Sequence, residues 1–194
     1  MKTYLIVGLG NHGATYANTW HNMGFIAIDM LCEELNLEWK KKPLVNYKLA
    51  QGNVGNDKIL LLKPYTYMNR SGEAVLSIMR KHNVKTENIV VLVDDLYIDK
   101  GKIRIGLGGG NGGHNGIRSI NELTSAKDYT KIKIGIKPTK EVHTLSNYVL
   151  SRIGAEDKGL IGQSCTQVTE CVKMIIAGEK LDKLQAKFNV KNEA

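Results

Sequence analysis

The chain has few cysteines, and they are not spaced for a disulfide framework or a cysteine-rich metal site. Cys32, Cys165 and Cys171 form an odd set with no Cys-x-x-Cys pair. No uncharged apolar run approaches the roughly 18 residues of a membrane span, and the N-terminal residues lack the pattern of a signal peptide. We therefore expect a cytoplasmic protein that is not attached to a membrane and whose three thiols are buried.

Acidic residues are also scarce, since 19 Asp and Glu stand against 27 Lys and Arg and give a formal net charge of +8. The excess is concentrated in two segments. Residues 100–140 contain nine Lys or Arg and two acids, and residues 40–70 contain seven Lys or Arg and one acid. A single basic segment is often only a solvated face. Two of them in a chain of this size favour a polyanionic partner such as nucleic acid.

Several signatures of common enzyme classes are missing. No Gly-Lys-Ser/Thr follows the glycine-rich stretch 108–116, so it is not a P-loop. No Ser or Cys stands in a nucleophile elbow, and no histidine is spaced with acids as in a zinc-binding helix. Gly8-x-Gly10-x-x-Gly13 does match the dinucleotide fingerprint. Residues 11–22 are nevertheless polar where that fold needs a helix, so a dinucleotide-binding oxidoreductase is the less favoured alternative.

Hydrophobic patterning predicts alternating strands and helices. The continuous apolar run 89–93 indicates a central strand buried on both faces, and the β-prone runs 45–54 and 58–62 indicate a hairpin. Further strands are predicted at 4–7, 102–107 and 131–137, and helices at 25–36, 74–82 with Ser71 as its cap, 117–123, 155–177 and 179–188. These elements predict a single α/β domain over residues 1–194. Its sheet is expected to be twisted, mixed and mostly parallel, with helices on both faces.

Polar side chains collect where these elements end or begin. They are, in chain order, Asn11, His21, Asn69, Asp94, His114 and Asn115. In open α/β sheets, ligands bind at the carboxyl ends of the strands. A histidine can take a proton from water while a buried Asp orients its ring, and Asn amides can donate to a developing oxyanion. This constellation predicts ester hydrolysis without a metal or cofactor.

The segment 131–137 alternates Lys with apolar residues, as in a half-buried strand with one cationic face. We interpret it as a row of lysines without paired acids. Because phosphate contacts supply most of the non-specific affinity for nucleic acid, such a row would suit a phosphate track.

Four long motifs, in order between residue 3 and about residue 150, resemble those of the bacterial-type peptidyl-tRNA hydrolase family. They are Val7-Gly8-Leu9-Gly10-Asn11 with Tyr16 and His21-Asn22-Met23-Gly24; Lys63-Pro64 with Thr66-Tyr67-Met68-Asn69-Arg70-Ser71-Gly72; Asp94-Asp95-Leu96; and Gly108-Gly109-Gly110 with Gly112-Gly113-His114-Asn115-Gly116. The resemblance implies cleavage of the ester between a peptide and the 3′ ribose of tRNA, which recycles tRNA from prematurely released peptidyl-tRNA. It also implies tRNA as the partner. We take a monomer without an obligate protein partner as the default oligomeric state.

Roles for individual residues follow from the same resemblance. His21 would be the general base and Asp94 its orienting group, Asn11 and Asn69 would hold the peptide end or the oxyanion, and Asn115 would position water and the tRNA terminus. The residues expected to bind substrate or tRNA are Tyr16, Tyr67, Met68, His114, Lys102, Arg104, Lys131 and Lys133, the last four through acceptor-stem phosphates. The C-terminal helices, about 155–190, would border the peptide groove.

Two positions depart from the family pattern. His12 stands where the family commonly has Pro, and Trp20 stands where it commonly has Arg. Neither change removes a group from the expected mechanism, so we expect activity to persist with an altered pH profile. The main alternative is a non-catalytic RNA-binding module, which would use the basic segments but leave the His, Asp and Asn constellation without a role.

Overall fold

The fold is that of a computed structural model, which describes residues 1–41 and 43–189. Two parts of the predicted domain lie outside the described residues, namely residue 42 and residues 190–194. Residue 190 is also the last residue of the predicted helical segment 155–190. The strands are β1 (Thr3–Gly8), β2 (Lys40–Lys41), β3 (Tyr47–Val54), β4 (Asp57–Pro64), β5 (Ile89–Asp95), β6 (Ile103–Leu107) and β7 (Thr130–Gly135). The helices are α1 (Met23–Glu34), α2 (Ser71–His82), α3 (Asn115–Thr124), α4 (Leu145–Val149), α5 (Lys158–Ile176) and α6 (Leu181–Phe188).

In the described part of the chain, the strands form one seven-stranded sheet in the order β2-β3-β4-β1-β5-β7-β6. The four central strands β4, β1, β5 and β7 are parallel, whereas β2, β3 and β6 add antiparallel pairs at the two edges. The apolar runs of β1, β4 and β5 lie in the centre because both of their faces are covered. The predicted mixed sheet and the hairpin of β3 and β4 are confirmed.

Alternating side chains divide the core into two layers. Ile6 of β1 packs in the layer that holds α1, α5 and α6, whereas Leu5 and Val7 pack in the layer that holds α2 and α3. Helices therefore cover both faces, as predicted. Among the described helices, none combines the length and the apolar character that a membrane crossing requires.

Two glycines allow the close crossings that bring the polar segments together. A Cβ on Gly24 of α1 would lie 2.4 Å from the backbone nitrogen of Leu9, just after β1. A Cβ on Gly72 of α2 would lie 2.2 Å from the carbonyl oxygen of Ser119 in α3. No larger residue fits at such approaches without backbone movement. The first crossing places the turn before α1 beside the end of β1, and the second packs α3 against α2.

Two details of the sequence interpretation are corrected. Ser71 does not cap α2 but is its first residue, and its hydroxyl donates to the carbonyl of Met68 at 2.9 Å instead of accepting from the helix. The dinucleotide hypothesis needs a helix to open inside the glycine run. Residues 11–18 instead form loop and turns, and α1 begins only at Met23.

Candidate active site

A cavity of about 720 Å³ opens at the carboxyl ends of β1 and β5. The segment 67–69 forms one wall, the glycine-rich loop 110–115 forms another, and α4 closes the third side. The predicted site residues that line the cavity are Asn11, Tyr16, His21, Tyr67, Met68, Asn69, Asp94, His114, Asn115, Lys131 and Lys133. Lys102 and Arg104 are exposed on and beside the edge strand β6 and do not belong to this lining.

His21 and Asp94 form a hydrogen-bonded pair on the floor of the cavity. Nδ1 of His21 lies 3.0 Å from Oδ2 and 3.2 Å from Oδ1 of Asp94. His21 comes from the 3-10 turn Trp20–Asn22 before α1, and Asp94 comes from the end of β5. Since the carboxylate accepts the proton of Nδ1, the other ring nitrogen, Nε2, is left unprotonated. That is the tautomer that a general base requires.

Asp94 is buried and still ionised. Burial by itself raises the pKa of this carboxyl, but the interactions with His114 and His21 more than offset it and hold the pKa of Asp94 well below its ordinary value. The side chain is 3% exposed. A carboxylate this deep can stabilise a positive charge that forms on His21 with little screening by water.

His114 makes a second hydrogen bond to the Asp94 carboxylate. Its Nε2 lies 3.0 Å from Oδ1 of Asp94, and its Nδ1 accepts from the backbone nitrogens of Gly116 at 3.1 Å and Ile117 at 3.4 Å. A nitrogen that accepts two N–H groups carries no proton, so the proton is on Nε2 and is donated to Asp94. His114 is therefore the N-cap of α3 and a neutral donor to the buried carboxylate.

One ligand atom from each of His21, Asp94 and His114 lies within 4.8 Å of the others, a spacing that a metal ion could bridge. A neutral imidazole bound to a metal through Nε2 carries its proton on Nδ1. In His114 that nitrogen accepts the first N–H groups of α3. The donor set thus fits a hydrogen-bonded carboxylate better than it fits a metal centre.

Asn11 and Asn22 fix the loop after β1. The Asn11 backbone nitrogen donates to Oδ1 of Asn22 at 2.8 Å, and Nδ2 of Asn22 donates back to the Asn11 carbonyl at 2.9 Å. The side-chain oxygen of Asn11 accepts from the Met68 backbone nitrogen at 2.8 Å. The oxygen of the Asn11 side chain is thus already bonded, and Asn11 lines the cavity. The sequence interpretation gave Asn22 no role, although its place next to His21 was the available signal.

The family comparison agrees with this geometry. A model of the family described as peptidyl-tRNA hydrolase matches residues 5–194. The chain belongs to the peptidyl-tRNA hydrolase family.

Relatives named peptidyl-tRNA hydrolase match over almost their whole length. The protein from Clostridium acetobutylicum is 40% identical over 187 residues, which cover 96% of this chain and 97% of that protein. The protein from Lactococcus lactis subsp. cremoris is 36% identical over 96% of this chain and 100% of its own length. A crystal structure of peptidyl-tRNA hydrolase from Acinetobacter baumannii superposes with a TM-score of 0.89 at 31% identity, covering 99% of this chain and 97% of that one. The resemblance inferred from the motifs is confirmed.

The lysine row of this peptidyl-tRNA hydrolase family member differs from the prediction. Lys131 is 3% exposed, and its Nζ donates to the carbonyls of Gly109 at 2.9 Å and Gly110 at 3.1 Å. Burial, with a smaller contribution from Lys133, lowers the pKa of Lys131. Its ammonium thus holds the glycine-rich loop in place. Because β6 is antiparallel to β7, this loop begins at the end of the sheet that is far from Asp94, and it then crosses the sheet to return towards Asp94. A phosphate contact by Lys131 does not fit this geometry.

The other lysines of the row do have paired acids, contrary to the prediction. Nζ of Lys133 lies 3.1 Å from Oδ2 of Asp95, and Nζ of Lys137 lies 3.4 Å from Oδ1 of Asp99. Lys102 lies 4.0 Å from Asp99. These pairs are about half exposed on the lysine side, so each lysine can still approach a phosphate.

The border of the cavity comes from α4 and not from the predicted segment 155–190. Leu145, Ser146, Val149 and Leu150 line it, whereas none of the described residues 155–189 does. The position of α4 is fixed by Tyr148, whose hydroxyl donates to the Ile136 carbonyl at 2.8 Å and whose ring stacks on Trp20 at 5.9 Å. Trp20 therefore connects α4 to the turn that carries the catalytic candidate His21.

Proposed function

We propose that this chain hydrolyses the ester that joins the carboxyl end of a peptide to the 3′ ribose of tRNA. The observation that carries the proposal is the pair of His21 and Asp94, 3.0 Å apart on the floor of an open cavity. The family relationship selects the substrate, and the pair supplies the chemistry. We place the enzyme in the cytoplasm, since peptidyl-tRNA arises during translation, and we take it to act as a monomer.

The reaction has two steps, and His21 carries one proton from the first step to the second. Nε2 of His21 takes a proton from water, the water oxygen bonds to the ester carbonyl carbon, and the carbonyl oxygen becomes an oxyanion. The carbon–oxygen bond to the ribose then breaks, and the imidazolium returns its proton to the departing ribose oxygen. Asp94 keeps Nδ1 protonated throughout and stabilises the transient positive charge on His21.

The Asn side chains bind the uncharged parts of the substrate. Nδ2 of Asn11 and the amide of Asn69, which is exposed on the cavity wall formed by 67–69, donate to the oxyanion or to the last peptide carbonyl. Asn115 lies at the first turn of α3, where its Oδ1 accepts from Arg118 at 2.8 Å and its amide nitrogen stays available for water or the ribose. Tyr16, Tyr67 and Met68 supply the apolar surface for the peptide end.

The deciding experiment measures release of the N-acetyl amino acid from N-acetyl-aminoacyl-tRNA by the wild type and by His21→Ala, with and without EDTA. We expect cleavage that resists the chelator and a loss of kcat of at least roughly 10²-fold in the variant, the scale of general acid–base catalysis. Near-normal turnover by His21→Ala would exclude His21 as the base. A wild type that binds tRNA without cleaving the ester would make the chain an RNA-binding module.

A further inference from the structure

A row of four rings runs from the core to the mouth of the cavity. Phe25 of α1 is 6% exposed and stacks on Tyr65 at 6.1 Å between ring centroids. Tyr65 stacks on His12 at 5.2 Å and an interplanar angle of 17°, and His12 contacts Tyr67 at 4.4 Å and 36°. Tyr67 meets the edge of Tyr16 at 6.4 Å. We call Phe25, Tyr65, His12 and Tyr67 the ring column.

The base of the ring column is rigid. Gly10 leaves the space that Phe25 fills, since a Cβ at Gly10 would lie 2.6 Å from that ring. The backbone nitrogen of Tyr65 donates to the Asn46 carbonyl at 2.7 Å, and Nζ of Lys48 lies 5.5 Å from the centre of the Tyr65 ring. His12 thus stacks on a ring that the core and the sheet hold in place.

The outer end of the column is a strained residue. Tyr67 has φ 59° and ψ 163°, a conformation that is normally adopted only by glycine. Such a conformation persists only where the surroundings fix it from several sides. Here the backbone is held by the bond from Met68 to Asn11 and by the Arg70 nitrogen, which donates to the Tyr67 carbonyl at 3.2 Å.

The Tyr67 side chain depends on His12. Tyr67 is 50% exposed and lies on the cavity wall, so the surrounding core does not fix the direction of its ring. Among the described residues, its ring contacts are His12 at 4.4 Å between centroids and Tyr16 at 6.4 Å in an edge-to-face arrangement. His12 itself does not line the cavity, so it acts on a substrate through Tyr67 rather than by contact.

We propose that His12 is a positioning residue that holds the Tyr67 ring against the substrate and thereby sets substrate affinity. The inference rests on the proposed hydrolysis of peptidyl-tRNA, and it adds a determinant of KM that lies outside the cavity. The required property is a flat ring at position 12, not a titratable one, since His12 contacts its neighbours through ring faces.

The experiment compares kcat and KM of the wild type, His12→Ala, His12→Phe and His12→Leu with N-acetyl-aminoacyl-tRNA. We expect His12→Ala and His12→Leu to raise KM by roughly 2- to 10-fold, the range of one aromatic pair, with kcat unchanged. His12→Phe restores the wild-type KM because it restores the stack. A general loss of structure would instead lower kcat and the melting temperature in every variant, so the comparison of Phe with Leu remains informative if His12→Ala folds poorly.

A double-mutant cycle with Tyr67→Ala tests the path of the effect. If His12 acts through Tyr67, the double variant His12→Leu with Tyr67→Ala has the same KM as Tyr67→Ala alone. The control is His143→Ala, which removes an exposed imidazole outside the ring column and keeps the wild-type KM. Additive effects of the two substitutions, or an elevated KM in His12→Phe, would overturn the inference. A wild type without esterase activity would contradict the proposed function instead, so the two failures are distinguishable.

Discussion

Asp94 accepts from two histidines at once, with Nε2 of His114 at 3.0 Å from Oδ1 and Nδ1 of His21 at 3.0 Å from Oδ2. Oδ1 also lies 3.2 Å from Nδ1 of His21, so it contacts both rings. The carboxylate therefore orients the candidate base and also ties it to the N-terminus of α3. Because α3 begins at the end of the glycine-rich loop, the loop and the base share one buried carboxylate.

Asp94→Asn separates charge from shape. The amide has the size of the carboxyl group but can present an N–H to Nδ1 of His21, which then needs its proton on Nε2 and cannot act as a base. We expect kcat to fall by up to about 10⁴-fold, the loss when the orienting Asp of a catalytic triad is replaced by Asn, while affinity for tRNA stays at the wild-type level. Single-turnover cleavage and tRNA binding are measured separately. A fall of less than tenfold would mean that Asp94 does not orient the base.

The lowered pKa of Asp94 also predicts how the stability of the fold depends on pH. The folded pKa of Asp94 lies below its ordinary value of 3.8, so the carboxylate stabilises the fold above that value and the contribution is lost as the pH falls towards the folded pKa. The free energy of unfolding of the wild type should therefore approach that of Asp94→Asn as the pH is lowered from about 5 to about 2. Guanidinium titrations of both proteins over this range check it. A difference that stays constant down to pH 2 would contradict the assignment.

His114 has two functions that substitution can separate. His114→Asn keeps a good N-cap for α3 but removes the donor to Asp94, whereas His114→Ala removes both. We expect His114→Ala to be less stable than His114→Asn by about 0.5–2 kcal/mol, the value of an N-cap, and both variants to lose kcat by less than Asp94→Asn does. Thermal unfolding and single-turnover rates are the measurements. Equal stability of the two variants would remove the capping role.

Most of the candidate site could be predicted from the sequence because its residues follow strong local patterns. Asp94 directly follows a run buried on both faces, so its own burial and its need for a partner were foreseeable. His114 was predicted to bind substrate, however, and its N-cap geometry depends on where α3 starts. A start position within a glycine-rich segment has no hydrophobic period to mark it.

The parts that the sequence did not predict depend on long-range packing. The alternation in 131–137 correctly identified one polar face of β7, but it could not reveal that the glycine-rich loop covers Lys131. Likewise α4 has only five residues, too few for a helical period, and its place at the cavity comes from the contact between Tyr148 and Trp20. The acids that pair with Lys133 and Lys137 lie about 38 residues earlier in the chain, at Asp95 and Asp99, and only the parallel pairing of β5 with β7 brings them close.

The predicted phosphate contacts at the β6 edge of the sheet remain Lys102, Arg104 and Lys133, now without Lys131. Arg104 of β6 lies opposite Lys133 of β7 in the antiparallel register, so both side chains project from the same face. That face is continuous with the cavity, because Lys133 also lines it. A tRNA whose 3′ end enters the cavity would therefore pass its acceptor-stem phosphates over this pair.

Arg104→Ala and Lys133→Ala test this contact through salt dependence. Each should weaken tRNA binding and reduce the slope of log K against log salt by about 1, one phosphate contact per residue, with kcat unchanged at saturating substrate. Lys183→Ala is the matched control, since Lys183 of α6 is 63% exposed and α6 packs on the opposite layer of the core.

Lys131→Met should leave the slope unchanged, because the ammonium is bound to the carbonyls of Gly109 and Gly110, but it should lower kcat by freeing the loop that positions His114. If Lys131→Met reduced the slope as much as Arg104→Ala, the loop would have to open on binding and expose Lys131 to the RNA.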